Sequence, residues 1–501
     1  MTGCGTRRAE VPQAGARRGW RAALAGGVLF GLALCLGPTA STAAEEAIDW
    51  RAVRERTAEL LSGYIRIDTT NPPGRELAGA RYLAAFLEGE GIETRILVSQ
   101  GQRGNLIARL PATEPEPPAG GPVLLLSHID VVPADPRDWK VPPFSGAIRD
   151  GFVHGRGALD DKGHGVVQAM ALALLARHGG PRHRDVILAA TAGEEADPEV
   201  GVAWLVEHHL AELGPPEVVW NEGGASTRHP LIGSETLNAV ATTEKRALWL
   251  TLVAEGEGGH GSQPVRDSAV ARLARALARI DAWETPIRIT TTVDEMMRRL
   301  APYTDFPLSV LLPRLGNPLV RRLAAGGLTG SRVTNAMVRD TIALTGLRAG
   351  LKHNVIPRRA EATLDIRLLP DTDAALFLAH LAEVIGDPTV HLEGIPDPLP
   401  APKHPSPVDS PFFHVLEAEL AVEFPGSVTV PMQTTGGTDS AFFRHRGIPA
   451  YGYFPALLDE ELTSSIHGVD ERVPVDALEQ AVRVTWRVLR RLTAPPGSDR
   501  R

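Results

Sequence analysis

Val123-Leu124-Leu125-Leu126-Ser127-His128-Ile129-Asp130 runs four apolar residues straight into an imidazole and a carboxylate. A short apolar run without alternation is the pattern of a strand buried on both faces, as in a parallel sheet covered by helices. The polar residues fall where that strand ends, and ligands of open α/β sheets sit beyond the carboxyl ends of the strands. Two positions apart on an extended chain, His128 and Asp130 point to the same side. A carboxylate there can accept one imidazole N–H and leave the other ring nitrogen facing a metal. Taken alone, the pair reads more readily as a satisfied surface contact than as a metal site.

Outward from this strand, periodicity predicts helices over 50–67, 75–91, 163–178 and 201–213, and strands over 186–191 and 218–220. Apolar strands alternating with helices imply an α/β fold: a mostly parallel twisted sheet with helices on both faces. The texture changes near 244. An alternating strand is expected over 247–254, a helix over 267–280, strands over 341–346 and 360–368, and a helix over 372–385. Strands with helices on one face suggest a smaller α+β domain inserted into the first. The expected division is a leader at 1–44, a catalytic domain at 45–243 and 398–501, and an inserted lid at 244–397. The stretch 284–340 is irregular, apolar and basic in places, as in Met296-Met297-Arg298-Arg299-Leu300, and receives no element.

At 501 residues the chain is long enough for two domains, and a formal charge of -8 argues against nucleic acid or an anionic membrane surface as a partner. Arg17, Arg18 and Arg21 precede an apolar stretch over 22–36, and Ser41-Thr42-Ala43-Ala44 offers small residues for cleavage. This reads as a signal peptide and an exported, periplasmic or secreted protein, with an uncleaved anchor as the alternative. Both cysteines, Cys4 and Cys35, lie in that leader. A metal site in the mature chain must therefore be built from His, Asp and Glu.

Such residues recur at strand ends. Gly155-Arg156-Gly157-Ala158-Leu159-Asp160-Asp161-Lys162-Gly163 places a carboxylate at a loop-to-helix junction, where either Asp160 or Asp161 could instead cap the helix. Glu194-Glu195 follows the strand at 186–191, and adjacent carboxylates repel unless a cation or proton resolves them. Asn221-Glu222-Gly223-Gly224 ends the next strand, and His467 supplies a second imidazole. Together these are two histidines and several carboxylates on one rim of one sheet, a set suited to two metal ions. His154, His164, His208 and His209 read as surface or helix residues. The sequence has no Gly-x-Ser-x-Gly and no mature cysteine to support a covalent intermediate.

The run from 127 to 163, with Asp150-Gly151, resembles the two-zinc aminoacylase/carboxypeptidase family (peptidase family M20), in its carboxypeptidase S-like and N-fatty-acyl-amino-acid hydrolase-like branch. The resemblance extends over roughly 50–490. It implies two Zn2+ per subunit, with Co2+ or Mn2+ as alternatives. His128 and Glu222 would hold one ion, Glu195 and His467 the other, and Asp160 would bridge them. Asp130 would orient His128, and Glu194 would act as general base. Carboxypeptidase S-like members tend to have Asp before Glu-Gly-Gly where this chain has Asn221, so the ligand role falls to Glu222. In the lid, Gly259-His260-Gly261-Ser262 resembles the family's histidine motif, which implies that His260 polarises the scissile carbonyl, often from the neighbouring subunit. By the same likeness Asn354 bonds the carbonyl oxygen, and Arg367 clamps a free carboxylate that also faces the N–H groups of Gly436 and Gly437. The implied activity is hydrolysis of an amide or peptide bond beside a free carboxylate, as in a carboxypeptidase or dipeptidase; the alternative is N-acyl-amino-acid hydrolysis. The implied partners are a small peptide or N-acyl amino acid, with room for a homodimer through the lid.

Overall fold

The computed structural model describes residues 45–495 except 46, 115–119, 229–231, 233–235 and 397–402, so the expected leader lies outside the described residues. The chain opens with helix α1 (Trp50–Ile65), started by Asp49, whose carboxylate accepts the Ala52 N–H at 3.1 Å. Helix α2 (Glu76–Gly89) and strands β1 (Glu93–Gln100), β2 (Arg103–Leu110) and β3 (Val123–His128) follow. Next come α3 (Lys162–His178), β4 (Val186–Thr191), α4 (Val202–His208), β5 (Val218–Arg228) and β6 (Thr236–Glu244).

The chain then enters the lid: β7 (Arg246–Glu255), α5 (Ala269–Asp281), α6 (Thr291–Leu300), α7 (Pro318–Thr329), α8 (Arg332–Met337), β8 (Thr341–Ala349), β9 (Arg359–Leu368), α9 (Ala374–Ile385) and β10 (Val390–Glu393). It returns through α10 (Pro411–Glu423), β11 (Val428–Thr434), β12 (Ala450–Leu458) and α11 (Val475–Thr493). Among the described residues no helix is long and apolar enough to cross a membrane.

The large sheet has the order β1-β2-β4-β3-β5-β12-β6-β11. The pairs β4/β3, β3/β5, β5/β12 and β6/β11 are parallel. Every residue of β3 and β4 is buried, as their unbroken apolar runs require of strands covered on both faces. One face packs on α1, α3, α10 and α11, the other on α4. The parallel strands β4, β3 and β5 are neighbours, so their carboxyl ends form one rim.

The lid sheet has the order β8-β9-β7-β10 and is antiparallel throughout. Its inner face, with Leu248, Leu250, Leu364 and Ile366, packs on Leu273 of α5 and on Phe377 and Leu381 of α9. The opposite face carries Trp249, Thr363, Asp365 and Arg367.

Three local expectations change. The helix expected over 201–213 is broken at His209 into Val202–His208 and Leu210–Leu213; His209 leaves helical geometry, its ring 4.3 Å from that of Trp204 and its Nδ1 3.0 Å from Glu212. The strand expected over 218–220 runs on to Arg228, since β6 folds back to pair with its second half. The unassigned stretch 284–340 is mostly helical. Val293, Met297, Leu315, Leu328 and Met337 form a small core of their own, and α6 packs beside β11 at the edge of the large sheet. Covering an edge strand hides backbone groups that would otherwise recruit another strand.

Candidate metal centre

His128 is the last residue of β3 and is 2% exposed. Its Nε2 lies 2.9 Å from Asp160 Oδ1 and 3.7 Å from Glu222 Oε1. The other oxygen of Asp160 lies 3.0 Å from His467 Nε2, which is 3.1 Å from Glu195 Oε1. Asp160 thus sits between two imidazoles, one on each oxygen. Ligand atoms of His128, Asp160 and Glu195 lie within 4.8 Å of one another, and so do those of His128, Glu194 and Glu222.

Three rim strands supply most of this set. Glu194 and Glu195 follow β4 after a turn at Gly193, whose φ is 79°. Glu222 lies within β5 rather than at its end. There Asn221 pairs with Gly452 and Ala225 with Phe454, so 222–224 form a bulge that turns the Glu222 side chain out of register. Gly452 is needed at this point, because a Cβ there would meet the Glu222 carbonyl oxygen at 2.0 Å. Asn221 is buried and donates to Ser440 Oγ at 3.1 Å, leaving Glu222 as the carboxylate of the pair that faces His128.

The electrostatics ask for cations. Burial, followed by Asp439, Glu195 and Asp160, pushes Glu194 well above the usual carboxylate range. Burial, followed by Asp160, does the same to Glu222. Hydrogen bonds to Asp160 and Glu195 push His467 up to about 10. Four carboxylates crowded around two imidazoles without a fixed positive side chain fit divalent ions bound through nitrogen and oxygen.

Residues invisible as a pattern in the sequence hold this set in place. Asp130 was expected to orient His128 through its carboxylate. The nearer partner of Nδ1 is instead the Asp130 main-chain carbonyl at 3.0 Å, with the carboxylate oxygen at 3.5 Å. That carboxylate accepts Asn71 Nδ2 at 2.8 Å and the N–H groups of Glu194 and Glu195 at 3.2 and 3.1 Å, so it fixes the loop carrying both glutamates. Arg103 donates to Asn71 Oδ1 at 3.2 Å and pairs with buried Glu76 at 3.1 Å. Glu471, fully buried, accepts the N–H groups of Gly157, Leu159 and Asp160 and pairs with Arg156 at 2.6 Å. It lies 311 positions from Asp160, which is why no local motif reveals it. Asp161 makes no side-chain cap on α3; its carboxylate accepts the His128 N–H at 3.2 Å. His164, on α3, is buried beside Asp161 and Gln168.

The lid residues stand apart from this cluster. His260 and Asn354 are exposed on facing loops, where His260 pairs in register with Val355 and the Asn354 carbonyl accepts the Gly261 N–H at 2.9 Å. His260 Nδ1 is 2.7 Å from Ser262 Oγ. Arg367 uses Nε and Nη2 on Asp365, at 2.7 and 3.1 Å, and lies over the Trp249 ring at 5.6 Å. Open space flanks Gly436 and Gly437. Both ends of their loop are tied to the crossing into the lid: Glu244 accepts Thr438 N and Oγ1 at 3.1 and 2.8 Å, and the Lys245 N–H donates to the Thr434 carbonyl at 3.0 Å.

A parallel-sheet rim bearing two histidines and four carboxylates, with a separate lid sheet, defines a metal-dependent hydrolase. Residues 124–491 match the model of peptidase family M20/M25/M40. The chain belongs to this family, whose metallohydrolases cleave amide bonds. It is similar to the N-fatty-acyl-amino acid synthase/hydrolase PM20D1 of Xenopus tropicalis, at 34% identity over 72% of this chain and 70% of that one. It is also similar to the probable carboxypeptidase S-like 2 of Dictyostelium discoideum, at 30% identity over 74% and 71%. Among solved structures, the M20 family metallo-carboxypeptidase Sso-CP2 from Sulfolobus solfataricus shares the fold, with a TM-score of 0.65 at 20% identity over 87% of this chain and 98% of that one.

Proposed function

We propose that this chain is a two-zinc amidohydrolase that cuts the amide bond of an amino acid whose carboxylate is free, releasing either a fatty acid or a shorter peptide. The observation that carries the reading is Asp160, whose two oxygens meet His128 and His467 at 2.9 and 3.0 Å. His128 and Glu222 would hold one ion and Glu195 and His467 the other, with Asp160 shared between them. A sulfur-free His/Asp/Glu set suits zinc, with Co2+ or Mn2+ as alternatives. Bound there, the ions supply a Lewis acid for the scissile carbonyl and make the attacking water acidic.

Glu194 takes a proton from that water and returns it to the leaving amine; a carboxylate held above its usual range by burial is suited to both steps. His260 and Asn354 bond the carbonyl oxygen as charge develops on it. Arg367 reads the free carboxylate. Asp365 occupies the Nε–Nη2 edge of the guanidinium and leaves the Nη1 edge for substrate, so it orients the fork. The loop at Gly436 and Gly437 receives the same carboxylate.

N-acyl amino acids are the leading substrates, supported by the 34% identity to a fatty-acyl-amino-acid enzyme, and short peptides are the second reading, supported by the carboxypeptidase S-like relative. The unpaired edge strand β8, with Leu344 and Leu347 exposed, supports a homodimer through the lid. The basic-then-apolar leader supports export. A screen of the metal-loaded enzyme against N-acyl amino acids and dipeptides, each with its carboxyl-amidated form, tests the function. Turnover of amidated and free forms at equal rates would overturn it.

A further inference from the structure

The net charge of the chain hides a local reversal. From Phe306 to Arg339 the sequence holds five arginines and neither Asp, Glu nor Lys, in a chain whose total is -8. Arg339 pairs with Glu284, whereas Arg314, Arg321, Arg322 and Arg332 have no carboxylate partner among the described residues. The same stretch contains strongly exposed apolar side chains: Phe306 at 83%, Leu319 at 74% and Leu323 at 81%.

Helix α7 shows how these features combine. Val320, Ala324 and Leu328 recur every fourth residue and pack into the small helical core. That seals the inner face. Leu319, Arg322, Leu323 and Gly326, spaced i, i+3, i+4 and i+7, form an outer stripe. A helix on a small core needs one apolar face; the second one, which carries Arg322 between its two leucines in sequence, is covered by nothing among the described residues. Such a stripe meets the requirements of a helix lying in the plane of a lipid headgroup layer, with leucines in the acyl boundary and guanidinium groups on phosphate. A second copy fits less well, because a two-fold contact through this stripe would bring like charges together.

We propose that the outer face of α7, with Arg322 on it and with Arg314, Arg321 and Arg332 of this stretch free of carboxylate partners among the described residues, docks the enzyme on an anionic phospholipid surface. The overall charge of -8, which argued against such a partner, averages over a chain whose stretch from Phe306 to Arg339 carries arginines and no acidic residue.

Vesicle sedimentation of the full chain tests this, comparing pure phosphatidylcholine with equal parts phosphatidylcholine and phosphatidylglycerol. Wild type should bind the anionic vesicles more tightly, and added salt should weaken that binding. Leu319→Ser/Leu323→Ser and Arg322→Glu should each lower the partition coefficient at least about tenfold. Metal content, thermal unfolding and turnover of a short water-soluble substrate should stay unchanged. Any contribution from residues 1–44 is common to all forms. As a local readout, Gly326→Cys with Cys4 and Cys35 replaced by serine, labelled with a polarity-sensitive dye, should shift blue on anionic vesicles only. Equal partition of wild type and both variants, or a dye that does not shift, would overturn the proposal. So would a concentration-dependent dimer abolished by the leucine variant, which would give the face to a second copy. Binding is read without turnover, so this inference and the proposed reaction fail separately.

Discussion

The rim of the large sheet and the open face of the lid sheet carry the same kinds of residue in opposite conditions. At the rim, the supporting polar groups are buried and their partners come from distant parts of the chain: Asn71 holds Asp130, and Glu471 holds the Asp160 loop. On the lid, polar groups are half-buried or exposed and pair with near neighbours, as Arg367 does with Asp365 and His260 with Ser262. Parallel strands force long crossovers, so a rim built from them is cross-linked by sequence-distant residues. An antiparallel sheet pairs close neighbours and leaves one face open. On the proposed function the difference separates two tasks: the rim would hold the metal, and the open face of the lid would meet the substrate.

Asp160→Ala should break the rim most completely. Metal should be lost from both positions and hydrolysis should fall by more than about 10³-fold, beyond the 10–100-fold usual for losing a partner behind a ligand. Full metal content by mass spectrometry in that variant would remove the bridge from the site. Glu194→Gln keeps the size of the side chain and removes the proton acceptor, so metal should stay while kcat drops at least ~10²-fold. Glu195→Gln should weaken metal binding instead; the reverse pair of phenotypes would exchange the roles of the two neighbours.

On the lid side, Arg367→Lys should cost about 1.5–3 kcal/mol in kcat/KM, the range for a hydrogen bond to a charged group, with metal content untouched. Amidating the substrate carboxylate should cost wild type a similar amount and the variant far less. Strictly additive losses would show that Arg367 does not read that carboxylate. The smallest expected effect sharpens the contrast: Asn71→Ala should weaken metal affinity by ~10–100-fold by loosening the Asp130 carboxylate. An unchanged affinity would mean that the rim is rigid without its buried supports.

The histidine and carboxylate positions of the centre were legible because each follows a recognisable strand, and the strands at 123–126 and 186–191 stand out by their unbroken apolar runs. Glu222 was legible as a residue but misplaced as a strand end, since the bulge opposite Gly452 depends on a strand more than 200 positions away. Within 284–340, α7 escaped a periodicity reading because it has apolar residues on two faces, which blurs the single stripe that periodicity detects. Asn71, Glu76, Arg103 and Glu471 carry no local signature at all; each is an ordinary polar residue until the fold buries it beside the site.

By itself the sequence determined the fold class and the family, and it singled out the His, Asp and Glu residues that the fold brings together. These depend on residue type and local period, which need only a few neighbours. Tertiary structure alone decided which atom orients His128, which buried acid holds the Asp160 loop, and that one edge of Arg367 is already engaged by Asp365. It also decided that Leu319 and Leu323, on either side of Arg322 in sequence, stand exposed on α7. Those outcomes depend on which distant residues are brought together out of water, because burial turns an ordinary carboxylate into a support and exposure turns an ordinary leucine into a contact surface.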